Sequence, residues 1–594
     1  MAKSKENNKG LWAIIKPINN YMAGAIVLAV IQGILMILGN MLLANIMGII
    51  LGGELQLFGL SLNFRQSFWL LTLVIIITFT IRYYSFIVSH LGAFKLETIL
   101  RKDLTSRLAD VPLGYVITIG TGSLKKVLLD DVKNLHVFVA DSIPLIGKSA
   151  TTPIISLIAM LTIDWRIALV AVGVLILGMI LMYGATKDDA KHRQRYEQSQ
   201  SDINKAVIEF VQAMPVVRTF DDGSTSSKRY NVALERYRHY TKTWINLTAI
   251  PGKIALIILS PLPTILAVTG VGMLLVFSNE LSLSGFIAAI MVSTGLAEAL
   301  MPLMWFNQAL KKSHASAVRI HETNDLPILT KPKVAKVPSS FDVTFNNVSF
   351  SYNNNHIHAL KNINFTVPEE TTSALIGPSG AGKSTVARLI PRFWDVTEGS
   401  IRIGGIDIRD MDSNILMDTV SFVFQDAFLF NDTLEENIRI AKIHATKIQI
   451  IEAAKAAQIH EFIMSLPNGY ETMAGDRGVN LSGGQKQRIT IARAILRDTP
   501  IIVFDEATAY ADPENEEEIV KALSNLMRHK TVIVIAHKLS TIKDVQQIIA
   551  FDKGKLTESG THDELLALGG TYANLWKNYT LAQNWDVHHK GGAI

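Results

Sequence analysis

The sequence predicts a two-part fold, a membrane α-helical bundle with six spans followed by an α/β domain. Nearly half of the chain is apolar, and the long uncharged runs all lie before about Phe306. From about Phe341, short β-type runs alternate with helical ones, as expected for a largely parallel sheet. A chain of 594 residues is also too long for one compact domain. We therefore expect a membrane unit first and a soluble unit second.

Charge and cysteine content exclude several classes of protein. The formal net charge is only +5, and the basic residues lie mostly in loops between hydrophobic runs. Positive-inside topology explains that distribution better than nucleic-acid binding, so no nucleic-acid partner is expected. The sequence contains no cysteine, which excludes disulfides, thiolate zinc sites and thiol catalysis.

Six hydrophobic stretches reach or approach the ~20 residues that a helix needs to cross a bilayer. They cover residues 21–51, 68–88, 138–163, 167–185, 250–277 and 286–306. The connections alternate between short segments without lysine and two long basic segments, residues 91–135 and 186–246. Positive-inside bias places both long segments, both termini and the soluble domain in the cytoplasm of a multi-pass membrane protein.

The long segments are predicted to be helical extensions of the spans, because loops of that length without structure are uncommon. Short transverse helices are expected at their tips, near residues 120–123 and 219–224; solvated loops are the alternative. The last span should continue to His321, before three prolines mark a linker. The predicted domains are residues 1–325 for the membrane part, 326–340 for the linker, 341–582 for the α/β domain and 583–594 for a tail.

A glycine-rich motif predicts that the α/β domain binds nucleotide phosphates. The sequence GPSGAGKS at 377–384 follows a β-type run and precedes a helical one. In that context backbone N–H groups surround the phosphates, and the new helix points its positive end at them. Lys383 should reach the β- and γ-phosphates, and Ser384 should hold Mg²⁺. The candidate contacts are Gly377, Ser379, Gly380, Gly382, Lys383, Ser384 and Thr385.

A second element strengthens this interpretation. The apolar run at 501–504 ends in two acids, Asp505 and Glu506. Asp505 fits a partner of Mg²⁺, and Glu506 fits the group that positions and polarises the attacking water. Two solvated acids at a strand end are the alternative, which the nearby phosphate motif disfavours.

The pentapeptide LSGGQ at 481–485 matches the signature of ABC ATPases, and the chain resembles that family in the order of its other motifs. The resemblance implies that Tyr352 stacks on adenine and that Gln425 joins the Mg²⁺ site to the membrane domain. It also implies that Asp512 lies in the loop that crosses to the partner subunit and that His537 senses the γ-phosphate. In this family the signature residues Ser482, Gly484 and Gln485 act on nucleotide held by the other subunit.

With six spans and a C-terminal ATPase, the whole chain is similar to exporter-type ABC half-transporters. The resemblance implies ATP and Mg²⁺ as cofactors, and ATP hydrolysis coupled to alternating-access transport of a small amphipathic molecule across a lipid bilayer. One ATPase domain per chain implies a second half-transporter as partner. A homodimer and a heterodimer both remain open, with the heterodimer slightly favoured.

The substrate and the direction of transport are left open by the sequence. Most proteins with this architecture export drugs, lipids or peptides. The run ADPENE at 511–516, however, resembles bacterial half-transporters that import iron-loaded siderophores such as mycobactin and yersiniabactin. That resemblance implies a location in the bacterial cell membrane and import of a metal–siderophore complex, with export as the alternative.

Four ionisable residues lie within or at the edges of the predicted spans, where charges are costly and often functional. Arg82, Lys148 and Lys253 would suit an anionic ferric complex, whereas Glu298 would suit a cationic drug. Snorkelling or pairing between helices is the alternative for each. Two other classes of protein carry the same ATPase motifs: a soluble ABC ATPase, which six apolar spans argue against, and an ATP-regulated channel, in which transport would survive Glu506→Gln.

Overall fold

The computed structural model describes most of the chain. The described residues are 10–52, 56–57, 60–186, 189–220, 224–297, 300–332, 334–352, 358–425, 427–505, 513–536 and 539–583. The chain divides into two compact units, of which the first contains Met1–Ser106 and Gly122–Asp325 and the second contains Arg107–Thr121 and Leu326–Ile594. The predicted boundaries of the linker and the tail stay a prediction.

The chain up to residue 325 is almost entirely helical. Its helices are α1 Leu11–Ile15, α2 Asn19–Ile50, α3 Phe64–Asp110, α4 Leu113–Ile119, α5 Thr121–Lys125, α6 Val132–Val137, α7 Ile143–Ile163, α8 Trp165–Thr186, α9 Asp189–Phe220, α10 Ser224–Trp244, α11 Ile250–Ile258, α12 Pro261–Phe277, α13 Leu283–Ala297 and α14 Leu300–Asn324. A two-stranded antiparallel hairpin, β1 Gln56–Leu57 and β2 Leu60–Ser61, lies between α2 and α3.

The predicted membrane bundle is confirmed. Among the described residues, five helical segments are long and apolar enough to cross a membrane: Leu11–Ile50, Phe64–Asp110, Thr121–Ile163, Trp165–Ala185 and Leu283–Asn324. A sixth crossing results if the bent pair Lys228–Ile258 and Pro261–Phe277 counts as one span. That pair bends by 43°, although the sequence predicted a continuous span over residues 250–277. The reason is local: Ser260 is extended and Pro261, which has no N–H to donate, begins a new helix.

The first unit packs its helices through small residues. Helices α2, α7 and α13 contact one another extensively. A Cβ added at Gly295 on α13 would lie 2.2 Å from the Ser156 hydroxyl oxygen on α7, so only glycine allows this approach. Elsewhere the membrane-length helices keep many large apolar side chains exposed, as expected of a surface that faces a bilayer.

The helix Phe64–Asp110 has 47 residues and is about 70 Å long, more than a bilayer requires, and the short helix that follows it lies earlier than the tip expected from the sequence. It is α4, over Leu113–Ile119, rather than residues 120–123. Pro112 precedes its first turn, and Gly120, at φ 81°, ends it. Residues 121–125 instead begin the next long helix. The second expected tip, near 219–224, includes residues outside the described part.

The second unit is α/β, as predicted. Its strands are β3 Val343–Phe350, β4 Leu360–Val367, β5 Thr372–Ile376, β6 Glu398–Ile403, β7 Ile406–Asp407, β8 Val420–Val423, β9 Ile501–Asp505, β10 Thr531–Ile535, β11 Gln547–Asp552 and β12 Lys555–Gly560. Its helices are α15 Lys383–Leu389, α16 Ser413–Thr419, α17 Leu434–Arg439, α18 Lys447–Ala456, α19 His460–Ser465, α20 Gly483–Arg497, α21 Pro513–Met527, α22 His562–Leu568 and α23 Thr571–Gln583.

These strands form two sheets. The larger has the order β12-β11-β5-β10-β9-β8, and all of its pairs are parallel except β11 with β12. The smaller, with the order β4-β3-β6-β7, is antiparallel. Strands β9 and β10 are almost fully buried, which explains their uninterrupted Ile and Val runs.

Candidate nucleotide-binding site

The phosphate motif and the first acid after the 501–504 run lie at one edge of the larger sheet. Strand β10 is between β5 and β9, and all three run in parallel. Gly377 follows directly after Ile376, the last residue of β5, and Asp505 ends β9. Because the carboxyl ends of parallel strands meet at the same edge, the loop and the carboxylate face one crevice.

Backbone geometry explains why the loop needs glycine at two positions. At Gly377 the φ angle is +140°, and a Cβ would lie 2.1 Å from the carbonyl oxygen of Phe551. At Gly382 the φ angle is +105°, and a Cβ would lie 2.7 Å from the Leu360 side chain. Both positions therefore exclude other residues. Ser379 and Gly380, at the outer part of the loop, are exposed to solvent.

The lysine of the motif is folded into its own loop. Lys383 is buried, and its Nζ donates to the carbonyl oxygens of Gly377 (2.9 Å) and Pro378 (3.0 Å). A cation held by neutral carbonyls of the phosphate loop can transfer its hydrogen bonds to phosphate oxygens.

Ser384 and Asp505 are brought together across the sequence. The Ser384 hydroxyl donates to Asp505 Oδ1 at 3.3 Å. Asp505 is only 2% exposed, so a cation must balance its charge. A hydroxyl and a carboxylate side by side are hard oxygen donors of the kind that Mg²⁺ takes, so the predicted pair fits that ion.

Arg388 supplies a contact that the sequence analysis missed. Its guanidinium donates to Asp505 Oδ2 at 3.1 Å, so both oxygens of the buried carboxylate are occupied. A sequence signal existed, because Arg388 is four residues after Ser384 on the same short helix and therefore on the same face.

Tyr352 lies next to the start of helix α15. Its hydroxyl and the Thr385 hydroxyl are 2.9 Å apart, and its ring meets Trp394 edge to face with 5.2 Å between centroids. The aromatic residue predicted to stack on adenine is therefore beside the phosphate loop, and the stacking itself stays a prediction.

Gln425 lies beyond the end of β8, which pairs with β9 in the register Val423 opposite Phe504. This register brings Gln425, which is partly buried, to the same edge of the sheet as Asp505. Three other predicted residues, Glu506, Asp512 and His537, lie outside the described residues.

The signature forms the start of helix α20. Ser482 is its N-cap: the Ser482 hydroxyl accepts from the Gln485 N–H at 3.3 Å, and the Gln485 side chain accepts from the Ser482 N–H at 2.9 Å. Ser482 is exposed, Gln485 is half-buried and Gly484 is buried. A capped helix start with an exposed hydroxyl is suited to a phosphate that arrives from outside this subunit.

Arg493, another residue that the sequence analysis missed, holds the signature helix to the segment after Gln425. Its guanidinium donates to the carbonyl oxygens of Phe428 (2.7 Å) and Asn437 (2.6 Å). Burial lowers the pKa of Arg493 to about 10, so it remains charged at neutral pH. These hydrogen bonds join the signature helix to the segment that contains Phe428 and Asn437.

Helix α4 belongs to the second unit, although in the sequence it lies between two spans. The Gly114 N–H donates to the Phe393 carbonyl at 3.0 Å, and Tyr115 packs against the core beside Trp394. A Cβ at Gly114 would lie 1.9 Å from the Trp394 ring. This close contact was not predicted, because about 280 residues separate the two sides along the chain.

A phosphate loop, a buried carboxylate and a capped signature helix on a chain with membrane-length helices define a membrane-bound P-loop ATPase. Family models agree: residues 22–300 match the ABC transporter transmembrane region, and residues 360–509 match the ABC transporter family. The chain belongs to the ABC transporter family, with the exporter-type fold that the sequence predicted.

Several relatives are similar over most of this chain. The mycobactin import ATP-binding/permease protein IrtA of Mycobacterium tuberculosis is 36% identical over 485 residues, which cover 80% of this chain and 55% of IrtA. The chain therefore spans about half the length of this relative. The putative multidrug export ATP-binding/permease protein YgaD of Bacillus subtilis is 34% identical over 504 residues, which cover 84% of this chain and 86% of YgaD.

The ATP-dependent lipid A-core flippase of Saccharophagus degradans is 32% identical over 523 residues, which cover 87% of this chain and 88% of the flippase. Among solved structures, a bacterial Atm1-family ABC exporter with ATP bound superimposes with a TM-score of 0.72 at 27% identity. The superposition covers 94% of this chain and 98% of the exporter chain.

Proposed function

We propose that this chain is one half of a dimeric transporter that hydrolyses ATP to move a small amphipathic molecule across the bacterial membrane. The observation that carries the proposal is the Ser384–Asp505 contact at the phosphate loop, on the same chain as membrane-length helices. In this contact two of the three candidate Mg²⁺ ligands lie side by side, which supports a role in nucleotide hydrolysis.

In this proposal the loop N–H groups and Lys383 bind the phosphates of ATP. Ser384, Asp505 and Gln425 would hold Mg²⁺, which supplies charge neutralisation at the phosphates. Glu506 orients and polarises the attacking water, and His537 contacts the γ-phosphate. Ser482 and the start of helix α20 approach the same phosphate from the partner chain, so that ATP draws two such subunits together.

We further propose that the substrate is a metal–siderophore complex and that the direction is import. Two observations support this: the 511–516 sequence, and the similarity to proteins named for mycobactin import. A heterodimer with a second half-transporter is the favoured assembly.

Export of drugs or lipids is the second candidate. It is favoured by the match to YgaD, which covers more than four-fifths of both chains, and by the flippases. The two candidates share the ATP site and differ in the substrate that stimulates it and in the direction of transport.

ATPase activity in lipid nanodiscs separates these candidates. The chain is purified alone and together with any half-transporter encoded next to it, and Glu506→Gln serves as the blank. Stimulation by ferric siderophores but not by their iron-free forms supports import, and labelled-iron uptake then measures direction. Stimulation by lipophilic drugs or lipids alone supports export. Activity that survives in Glu506→Gln contradicts the proposed ATP site.

A further inference from the structure

Tyr352, the aromatic residue predicted to stack on adenine, is held by three contacts. Within the described part of the chain two rings meet it edge to face: Phe350 with 4.8 Å and Trp394 with 5.2 Å between ring centroids. Its hydroxyl is 2.9 Å from the Thr385 hydroxyl on α15. Two perpendicular rings and one hydrogen bond fix the position and the tilt of the phenol ring. Tyr352 is still only half-buried, so part of its surface is open to a base.

Of these contacts, the one from Trp394 joins distant parts of the sequence. Phe350 is two residues before Tyr352, whereas Trp394 lies about 40 residues after it, in the loop between α15 and β6. The Trp394 side chain is only 7% exposed, and its ring centroid is 6.0 Å from that of Phe350. The three rings therefore form one cluster, in which Tyr352 is the most accessible member.

Helix α4 also covers the indole of Trp394. A Cβ built at Gly114 would lie 1.9 Å from Cε2 and 2.2 Å from Cδ2 of Trp394, the two atoms that the indole rings share. The Gly114 backbone therefore lies over the middle of the indole, where only glycine fits. Because interiors are closely packed, this backbone removes space into which the indole could otherwise rotate.

The loop that carries Trp394 is itself anchored at two residues. The buried guanidinium of Arg392 donates to Asp395 Oδ1 at 2.6 Å and to Asp395 Oδ2 at 3.2 Å. It also donates to the Thr330 hydroxyl at 3.0 Å. A bidentate pair across Trp394 leaves this stretch of backbone little freedom, so the indole is held in place from both ends of its loop.

We propose that Trp394 is a positioning residue for the base of the bound nucleotide, because it holds the Tyr352 ring in the orientation that stacks on adenine. Trp394 acts through Tyr352, since its own side chain is buried. The inference deepens the proposed function and rests on it, because Tyr352 must bind the base. A tryptophan that only filled the core would contribute to stability and would leave the affinity for the base unchanged.

Two ligands that share a diphosphate isolate the contribution of the base. Mg²⁺–ADP and Mg²⁺–pyrophosphate are titrated calorimetrically into the full chain in lipid nanodiscs. In Trp394→Met the Kd for ADP should rise about ten-fold while the Kd for pyrophosphate stays the same, because one ring contact of Tyr352 is lost and the phosphate loop is untouched. Methionine is chosen because its flexible side chain fills the vacated space. An unchanged Kd for ADP, or an equal rise for both ligands, overturns the proposal.

Matched variants separate positioning from core packing. Phe345→Met is the control, because Phe345 is a buried ring of the same core that stacks on Phe365. It should lower the unfolding midpoint and leave both Kd values unchanged; a control that loses as much ADP affinity as Trp394→Met overturns the proposal. Trp394→Phe keeps a smaller ring beside Tyr352, and its Kd for ADP should rise only about three-fold. If Trp394→Met does not fold, an unchanged Kd for ADP in Trp394→Phe contradicts the proposal.

Tyr352→Leu links the effect to the adenine residue. It should itself weaken ADP but not pyrophosphate, and Trp394→Met added to it should cause no further loss. A further ten-fold loss in the double variant would mean that Trp394 acts without Tyr352, which overturns this inference and leaves the proposed function intact. Normal ADP binding by Tyr352→Leu would contradict the adenine role of Tyr352 and the inference with it. An unmodified chain that binds neither ligand would instead contradict the proposed ATP site itself.

Discussion

At the scale of single residues, the negative charge of the buried Asp505 carboxylate is stabilised by two observed partners and one proposed partner. Asp505 receives hydrogen bonds from Ser384 and Arg388, and Mg²⁺ is the proposed third partner. An arginine beside an Mg²⁺ site stabilises the subunit without nucleotide, since a buried carboxylate without a counter-charge is costly. Arg388 is a positioning residue in this interpretation, because it acts through Asp505.

Replacement of Arg388 by methionine should therefore destabilise the nucleotide-free protein more than the Mg²⁺–ATP-bound protein. Arg388 is about one-third exposed, so solvent screens the pair, and we expect the unfolding midpoint without nucleotide to fall by only about 3 °C. The increase in midpoint on addition of Mg²⁺–ATP should then be larger than in the unmodified chain. Differential scanning fluorimetry measures both midpoints. Arg388→Lys, which keeps the charge, is the control, and an equal increase in all three proteins contradicts the prediction.

At the scale of elements, an ion pair holds two helical segments of the first unit together. Asp131, at the end of a π-helical stretch, is fully buried. It accepts from Arg319 Nε at 2.8 Å and from the Ser316 hydroxyl at 2.8 Å, both on α14. The arginine side chain is 36% exposed, so the two partners are not equivalent. Removal of the arginine leaves a buried charge, whereas removal of the acid leaves one that water can reach.

Arg319→Ala should therefore lower stability more than Asp131→Asn. We expect the free energy of unfolding to fall by about 3 kcal/mol in Arg319→Ala and by about 1 kcal/mol in Asp131→Asn. The loss is larger in Arg319→Ala because it leaves the buried Asp131 carboxylate without a counter-charge. Intrinsic fluorescence during thermal unfolding in nanodiscs gives the order of the two midpoints. The opposite order would mean that Asp131 is protonated or reached by water in the folded protein.

Helix α4, which lies between two spans in the sequence, contacts Trp394 of the ATPase domain at Gly114. No side-chain atom fits at that position. Gly114→Ala should displace either the helix or the Trp394 ring, because the new Cβ would overlap that ring. We expect substrate transport to fall several-fold while ATP hydrolysis continues, since the phosphate loop itself is not touched. Gly122→Ala is the matched control, because a Cβ at that residue would have no heavy atom of another side chain or loop within 4 Å. Parallel loss of hydrolysis and transport would show that α4 supports the ATPase fold itself.

At the scale of the whole molecule, local patterns predicted more than distant contacts did. The spans, the parallel sheet and the phosphate loop were predictable, because apolar run length, strand composition and glycine spacing are properties of neighbouring residues. Gly114–Trp394 was not, because it joins segments about 280 residues apart that share no motif. Arg388–Asp505 was overlooked, although the four-residue spacing from Ser384 already put Arg388 on the same helix face. The bend before Pro261 was overlooked although the proline was visible, since apolarity alone suggested one continuous span.

The most demanding prediction concerns the assembly, because each subunit is proposed to complete the other's ATP site. Lys383→Met removes the phosphate ligand from one side, and Ser482→Arg blocks the signature on the other. Each variant alone should be inactive. Co-expressed with separate affinity tags, they should regain up to about a quarter of the unmodified ATPase rate, since about half of the dimers are mixed and each holds one complete site. Purification through both tags in sequence enriches those dimers, and the rate should rise accordingly.

A homodimer that stays inactive when mixed would mean that the two sites work only together. A chain that forms no dimer by itself would instead identify the neighbouring half-transporter as the required partner, and the same pair of substitutions divided between the two chains would then locate the complete site.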